Sequence, residues 1–246
     1  MCRMTPAERA SAVAFALKNC LLESMEPTDA ALLMARDYEL GRPDGMPFPS
    51  EASPLEKATA DLVFSNTIGL TERQPPASGD LTELRAIHAA IFRGVMPDAG
   101  AVRRTDAAPD AREAAASNPH AFFPAALIET GAANIAAELS EAHNLRALDR
   151  PDFARSLAHF YDELGYLHPF PRGNAMTLRV FASRLSHDAG WDLDWGPVTA
   201  EEYKAAKRRA YGGDTTGFER LFASIMRPAN PTRIFLISGW SAGPAH

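Results

Sequence analysis

Cysteine is nearly absent. Cys2 and Cys20 are the two in 246 residues, which excludes a disulfide framework. No Cys or His falls at metal-ligand spacing, so a zinc-type centre is excluded as well. Long apolar runs are missing too. The longest, residues 12–17 and 30–35, fall far short of the roughly 18 residues a membrane span needs. There is no excess of positive charge: 25 Lys+Arg stand against 31 Asp+Glu, a formal net charge of -6. That balance gives no electrostatic footprint for nucleic acid or an anionic membrane, and neither is expected as a partner. The opening residues, MCRMTPAERA, lack the basic-then-apolar order of a secretory signal. A reducing, cytoplasmic compartment is therefore the expectation. Secretion as an effector, by a route without a cleaved signal, stays open.

What is present is ordinary for a globular chain: 46% hydrophobic and 23% charged residues, enough for one large domain or one domain with a small appendage. Helix starts recur. Thr5-Pro6-Ala7-Glu8 combines a capping Thr, a Pro at the first helical position and a Glu three residues after the cap. Ser53-Pro54-Leu55-Glu56 repeats that chemistry, Thr199-Ala200-Glu201-Glu202 is a third capping box, and Asp80 before Leu81-Thr82-Glu83 is a looser version. Helical periods follow: Leu84, His88, Ile91 and Val95 share a face, as do Phe153, Leu157, Phe160 and Leu164, then Leu178, Phe181 and Leu185. Alternating β-branched stretches are scarce, so the class is mainly all-α. Gly190 stands where a helix begun near Gly173 would stop.

Two stretches carry no period. Residues 41–48 are rich in Gly and Pro and read as a linker, and residues 103–124 interrupt two helical regions. A long loop inside a compact domain is more often functional than accidental. The basic cluster Lys204, Lys207, Arg208 and Arg209 reads as a solvated helix face. His88, His143, His159 and His187 share no spacing and read as structural or surface residues.

The stretch richest in chemistry runs His168-Pro169-Phe170-Pro171-Arg172-Gly173-Asn174-Ala175-Met176-Thr177-Leu178-Arg179. A histidine closes one helix and a tight Gly-Asn turn opens the next. Backbone N–H groups at such a helix start form an anion site. The histidine beside it suits proton abstraction from a hydroxyl, and Arg179 suits bidentate contact with a phosphate. On these grounds alone, a packed His, a common turn and a solvent-facing Arg explain the same residues equally well.

This stretch resembles the Fic signature, H-x-F-x-(D/E)-G-N-G-R-x-x-R. The resemblance extends to residues 80–92 with Ala99-Gly100-Ala101-Val102-Arg103, to the helix from Phe153 through Leu164, and to residues 189–203. It implies a helical core around a helix-loop-helix site, with a short β-hairpin flap at residues 103–124 that docks a protein substrate. Most members of the family transfer AMP from ATP to a protein hydroxyl. By position, His168 would be the general base and Phe170 the anchor of the loop. Gly173, Asn174 and the N–H of Ala175 would cradle phosphates, and Arg179 would hold the distal one.

Three positions depart from the signature. Arg172 replaces the acidic residue that holds Mg²⁺, Ala175 replaces the second glycine, and Met176 replaces the first arginine. A cation at the ligand position both deletes the ligand and repels the ion, so ATP is the expected donor while Mg²⁺ is not expected. Two outcomes stay open: a weakened or altered transferase, and an inactive module that binds a partner protein. The N-terminal stretch also resembles the small antitoxin that accompanies some Fic proteins, whose inhibitory signature is (S/T)-x-x-x-E-(G/N). Glu23 matches it, with Asn19 and Ser24 at the flanking positions. The implied organisation is an inhibitory segment at residues 1–45 and a Fic domain at residues 46–246, with Glu23 set against Arg179.

Overall fold

The computed structural model describes residues 4–43, 45–47, 55–108, 122–230 and 234–239. Helices dominate them, and the capping chemistry shows why. α1 (Pro6–Leu21) starts at Thr5, whose hydroxyl accepts the Glu8 N–H at 3.2 Å while the Glu8 carboxylate accepts the Thr5 N–H at 2.7 Å. Donors otherwise orphaned by the helix start are satisfied in both directions. Thr28 caps α2 (Asp29–Glu39). α3 (Leu55–Gly69) follows; the start expected at Ser53 and Pro54 lies outside the described residues. Asp80 caps α4 (Leu81–Ile91) by accepting from Thr82 and Glu83.

α4 stops short of the face drawn through Val95. Its chain turns at Phe92, and Gly94 takes a φ of +75° that no helix continues through. The rest of the chain supplies α5 (Ile128–Glu141), α6 (Arg150–Leu167), α7 (Asn174–Asp188), β1 (Trp191–Leu193), α8 (Ala200–Ala210), α9 (Thr216–Ile225) and β2 (Met226–Pro228). The mainly helical class holds among the described residues. β1 and β2 form an antiparallel pair with Asp192 opposite Arg227. Of the expected flap, residues 109–121 lie outside the described residues. Its two ends meet: the Phe122 N–H donates to the Ala107 carbonyl at 2.8 Å.

α7 is the central element, with most of its length buried. α4 is fastened to it by a buried ion pair, Arg184 Nε and Nη2 donating to the two Glu83 oxygens at 2.6 and 2.5 Å. The segment after it is held by Trp195, whose indole N–H donates to Ser183 Oγ at 2.9 Å. α1 lies against α3 and α7 with Ala12, Phe15, Ala16 and Cys20 buried. Burial pushes the Cys20 thiol up to about 12, so it packs as a small apolar group. Two polar ties hold the exposed edge of α1: Lys18 Nζ donates to the Val198 carbonyl at 3.1 Å and Ser11 Oγ to the Leu236 carbonyl at 2.8 Å.

Candidate active site

The site is built where α6 ends and α7 begins. α6 stops because His168 adopts a left-handed conformation, φ +43°, which costs a side-chain-bearing residue about 1–2 kcal/mol. Arg103 offsets that cost. Its Nε donates to the His168 carbonyl at 2.7 Å, its Nη2 to the Leu167 carbonyl at 3.3 Å, and its own N–H to the Pro169 carbonyl at 2.8 Å. The same guanidinium bonds Thr105 at 3.0 Å and Phe123 through their carbonyls. One buried cation thus ties the helix end to both ends of the flap segment.

The loop itself is closed from inside. Phe170 is fully buried and stacks on the His88 ring at 4.0 Å, in keeping with an anchor. His88 Nδ1 accepts the Gly100 N–H at 2.8 Å, and its Nε2 lies 3.0 Å from the Arg172 carbonyl. An imidazole accepting on Nδ1 donates from Nε2, so His88 is a neutral bridge between the turn after α4 and the motif loop. Gly173 takes φ +78°, and a Cβ there would sit 2.2 Å from the Phe92 ring. Asn174 spends its side chain on the loop: Nδ2 donates to the Phe170 carbonyl at 2.7 Å and Oδ1 accepts the Phe170 N–H at 2.9 Å. What Asn174 has to offer an anion is its main-chain N–H. No side chain caps the start of α7, whose first N–H groups have no partner within the helix.

His168 faces a cleft that it shares with Asn174 and Ala175 of α7, Asp162 of α6, and Tyr203 and Lys207 of α8. Its ring stacks on Phe122 at 3.8 Å, 7° from parallel. Burial, then the positive charges of Lys207 and Arg103, push the imidazole down to about 4 against a hydrogen bond to the Gly165 carbonyl. At neutral pH the ring is uncharged, with one nitrogen donating to Gly165 and the other carrying a lone pair. Asp162 is raised to about 6, chiefly by burial and then by Glu163.

Arg179 lies behind the Tyr203 wall, fully buried, its guanidinium carbon 4.8 Å from that ring's centroid. Its Nη2 donates to Glu23 Oε1 at 2.8 Å and its Nε to Asn19 Oδ1 at 2.6 Å. α1 and the turn after it thereby bring Asn19 and Glu23 of the N-terminal signature to the last arginine of the second. Ser24 sits at φ +57°, a conformation natural to Gly or Asn, which are the residues the signature carries at that position. Arg172 is exposed, and Met176 is buried in the core.

A magnesium ion does not fit these residues. The position of its ligand holds a cation, Asp162 is the one carboxylate on the cleft wall among the described residues, and these contain no cluster of three metal-binding side chains.

A left-handed histidine, a glycine-opened helix start and a buried arginine thus stand on one helical scaffold, with a neutral imidazole facing the cleft. The chain belongs to the Fic/DOC family, whose profile matches residues 78–186. The probable protein adenylyltransferase y4lH of Sinorhizobium fredii is 30% identical over 146 residues, 58% of this chain and 71% of that protein. The protein adenylyltransferase VbhT of Bartonella schoenbuchensis is 29% identical over 161 residues, 65% of this chain; the match spans 32% of that longer protein. The N-terminal Fic domain of a Bep effector from Bartonella quintana, solved with ADP, superposes with a TM-score of 0.66 at 23% identity, covering 76% of this chain and 92% of that one.

Three residues take roles here that their sequence reading does not give: His88 reads as structural or surface, Arg103 as part of the flap, and Lys207 as part of a solvated helix face, which the structure corrects. His88 bridges two loops, Arg103 clamps the flap ends, and Lys207 turns into the cleft. The last had a signal: Tyr203, Ala206 and Ala210 form the buried face of α8, and Lys207 lies one turn from Tyr203 on that side.

Proposed function

We propose that the chain transfers AMP, or another phosphate-containing group, from a nucleotide to a protein hydroxyl, and that α1 holds this activity in check. One observation carries the reading: a neutral imidazole and an uncapped helix start share a cleft, and the buried guanidinium behind it already holds a carboxylate. In the transfer, His168 takes the proton of the target Ser, Thr or Tyr hydroxyl. That oxygen bonds to the α-phosphorus, the bond from the α-phosphorus to the bridging oxygen breaks, and pyrophosphate leaves. The N–H groups opening α7 stabilise the charge on the phosphate oxygens. Arg179 binds the distal phosphate once Glu23 withdraws. The target chain docks along the flap, residues 103–124. Residues 1–45 act as the inhibitory segment of the Fic domain in residues 46–246. A carboxylate fused to the chain competes at high effective concentration.

Support comes from the names of relatives that are adenylyltransferases and from the Glu23–Arg179 contact. The buried Met176, standing where the signature has an arginine, favours the second reading, an inactive partner-binding module. Labelled ATP with the Glu23→Gly chain separates the two. Label on protein that vanishes in Glu23→Gly/His168→Ala supports the transferase. Tight ATP binding without label, for any donor nucleotide tried, supports the module. ATP affinity unchanged by Glu23→Gly refutes the inhibitory role.

A further inference from the structure

We propose that Lys207 belongs to the phosphate-binding set, its ammonium supplying from α8 the positive charge that a divalent cation would bring, so that the cleft takes a nucleoside polyphosphate without magnesium. The inference rests on the nucleotide reading above and adds the ligand's charge partner.

Three observations carry it. The first is direction. Of the basic residues of α8, Lys204, Arg208 and Arg209 are exposed. Lys207 is half-buried and lines the same cleft as His168, Asn174 and Ala175. The second is proximity: Lys207 is the largest charge acting on the His168 ring, ahead of Arg103. The position where a transferred phosphate meets the imidazole is therefore within its field. Its Nζ also lies 5.7 Å from the Tyr211 ring centroid, an aromatic wall that favours a cation beside it.

The third is the deficit that this charge would fill. The loop has lost its acidic metal ligand to Arg172 and an arginine to Met176, and the described residues offer no cluster that would recapture a metal. A polyphosphate entering this cleft still needs neutralising charge. Among the described residues Asp162 is the one carboxylate lining the cleft, and the charges pressing on His168 are those of Lys207 and Arg103. The described charges acting on the imidazole are thus cationic, which suits a phosphate and repels a divalent cation.

The test is nucleotide binding by calorimetry in the Glu23→Gly chain, with magnesium or with EDTA, alongside Lys207→Gln and Lys207→Arg in the same background. ATP and ADP are expected to bind within about threefold with or without magnesium. Lys207→Gln is expected to weaken both about tenfold or more, the loss of one charge-assisted contact, to leave adenosine unchanged, and to be largely rescued by Lys207→Arg. Without nucleotide, the NMR titration midpoint of His168 should rise in Lys207→Gln. A tenfold gain from magnesium, or undiminished ATP binding by Lys207→Gln, overturns the proposal while leaving the nucleotide reading intact. No binding of any nucleotide overturns both.

Discussion

Replacing Gly173 by alanine measures the packing that sets the loop at the centre of the site. A Cβ on Gly173 would lie 2.2 Å from Cε2 and 2.3 Å from Cζ of Phe92, deep inside contact distance. The ring has little room to yield, since it is buried and lies 4.7 Å from the His88 ring. Two costs follow. The left-handed backbone, φ +78°, costs a non-glycine residue about 1–2 kcal/mol, and overpacking adds about 1–3 kcal/mol. The total, about 2–5 kcal/mol, corresponds to a fall in Tm of roughly 5–15 °C for a chain of this size. Urea melts of Gly173→Ala, Phe92→Leu and the double variant separate the terms. Shortening Phe92 relieves the clash but leaves the backbone strained, so the double variant should recover about 1–3 kcal/mol relative to additivity. Strict additivity, with Gly173→Ala alone costing no more than the backbone strain, would refute the packing argument.

Two more outcomes follow from buried ion pairs. Glu83→Gln should cost about 3 kcal/mol in urea melts, because Arg184 loses most of its countercharge and keeps the Asp188 contact at 3.1 Å; Glu83→Leu/Arg184→Leu should be far milder, and equal losses would show that the pair is not desolvated. His187 is held above its usual 6.5 first by its hydrogen bond to buried Asp192, at 2.6 Å. A raised folded value means stability that is fully present below the unfolded pKa and lost as pH rises through the folded one. Unfolding free energy should therefore fall from pH 6 towards pH 8, and Asp192→Asn should flatten that slope and lower the His187 NMR midpoint. A His187 midpoint unmoved by Asp192→Asn would refute the assignment.

Local chemistry was the most legible part of this chain. The boxes at Thr5 and Thr199 form as read, because a cap depends on residues three apart. The helix-loop-helix from His168 to Arg179 was legible because signature spacing maps onto one turn and one helix. Long-range chemistry was not. The β1–β2 pair joins three-residue strands more than thirty positions apart, too short to show a period. Asn174 reads as a phosphate donor in a linear motif, yet its amide closes a ring with Phe170 that exists only once the loop folds. The helical spacing of His88 placed it on the buried face, but its bridging role was not legible because both its partners, Gly100 and Arg172, present main-chain atoms, which any residue type supplies. Val95 failed differently: its spacing was helical, but Gly94 had already turned the chain.

The Glu23–Arg179 contact has an asymmetry that bears on how an inhibitor of this kind would let go. The guanidinium is fully buried, whereas the Glu23 side chain is 33% exposed. Among the described residues Arg179 Nη1 has no hydrogen-bond partner. A buried cation cannot be stripped of its anion cheaply, since the uncompensated charge costs about 3–5 kcal/mol. The carboxylate faces no such barrier, because water already reaches it. Release is therefore easier as an exchange of anions than as an opening that leaves Arg179 bare. An incoming phosphate that brings more charge, and oxygens for the unfilled Nη1, could displace the carboxylate as it arrives. Asn19 lies one turn earlier on α1 and holds Nε at 2.6 Å. It can keep its place during such a swap, so the proposed inhibition would release by a side-chain movement at Glu23 without undocking α1.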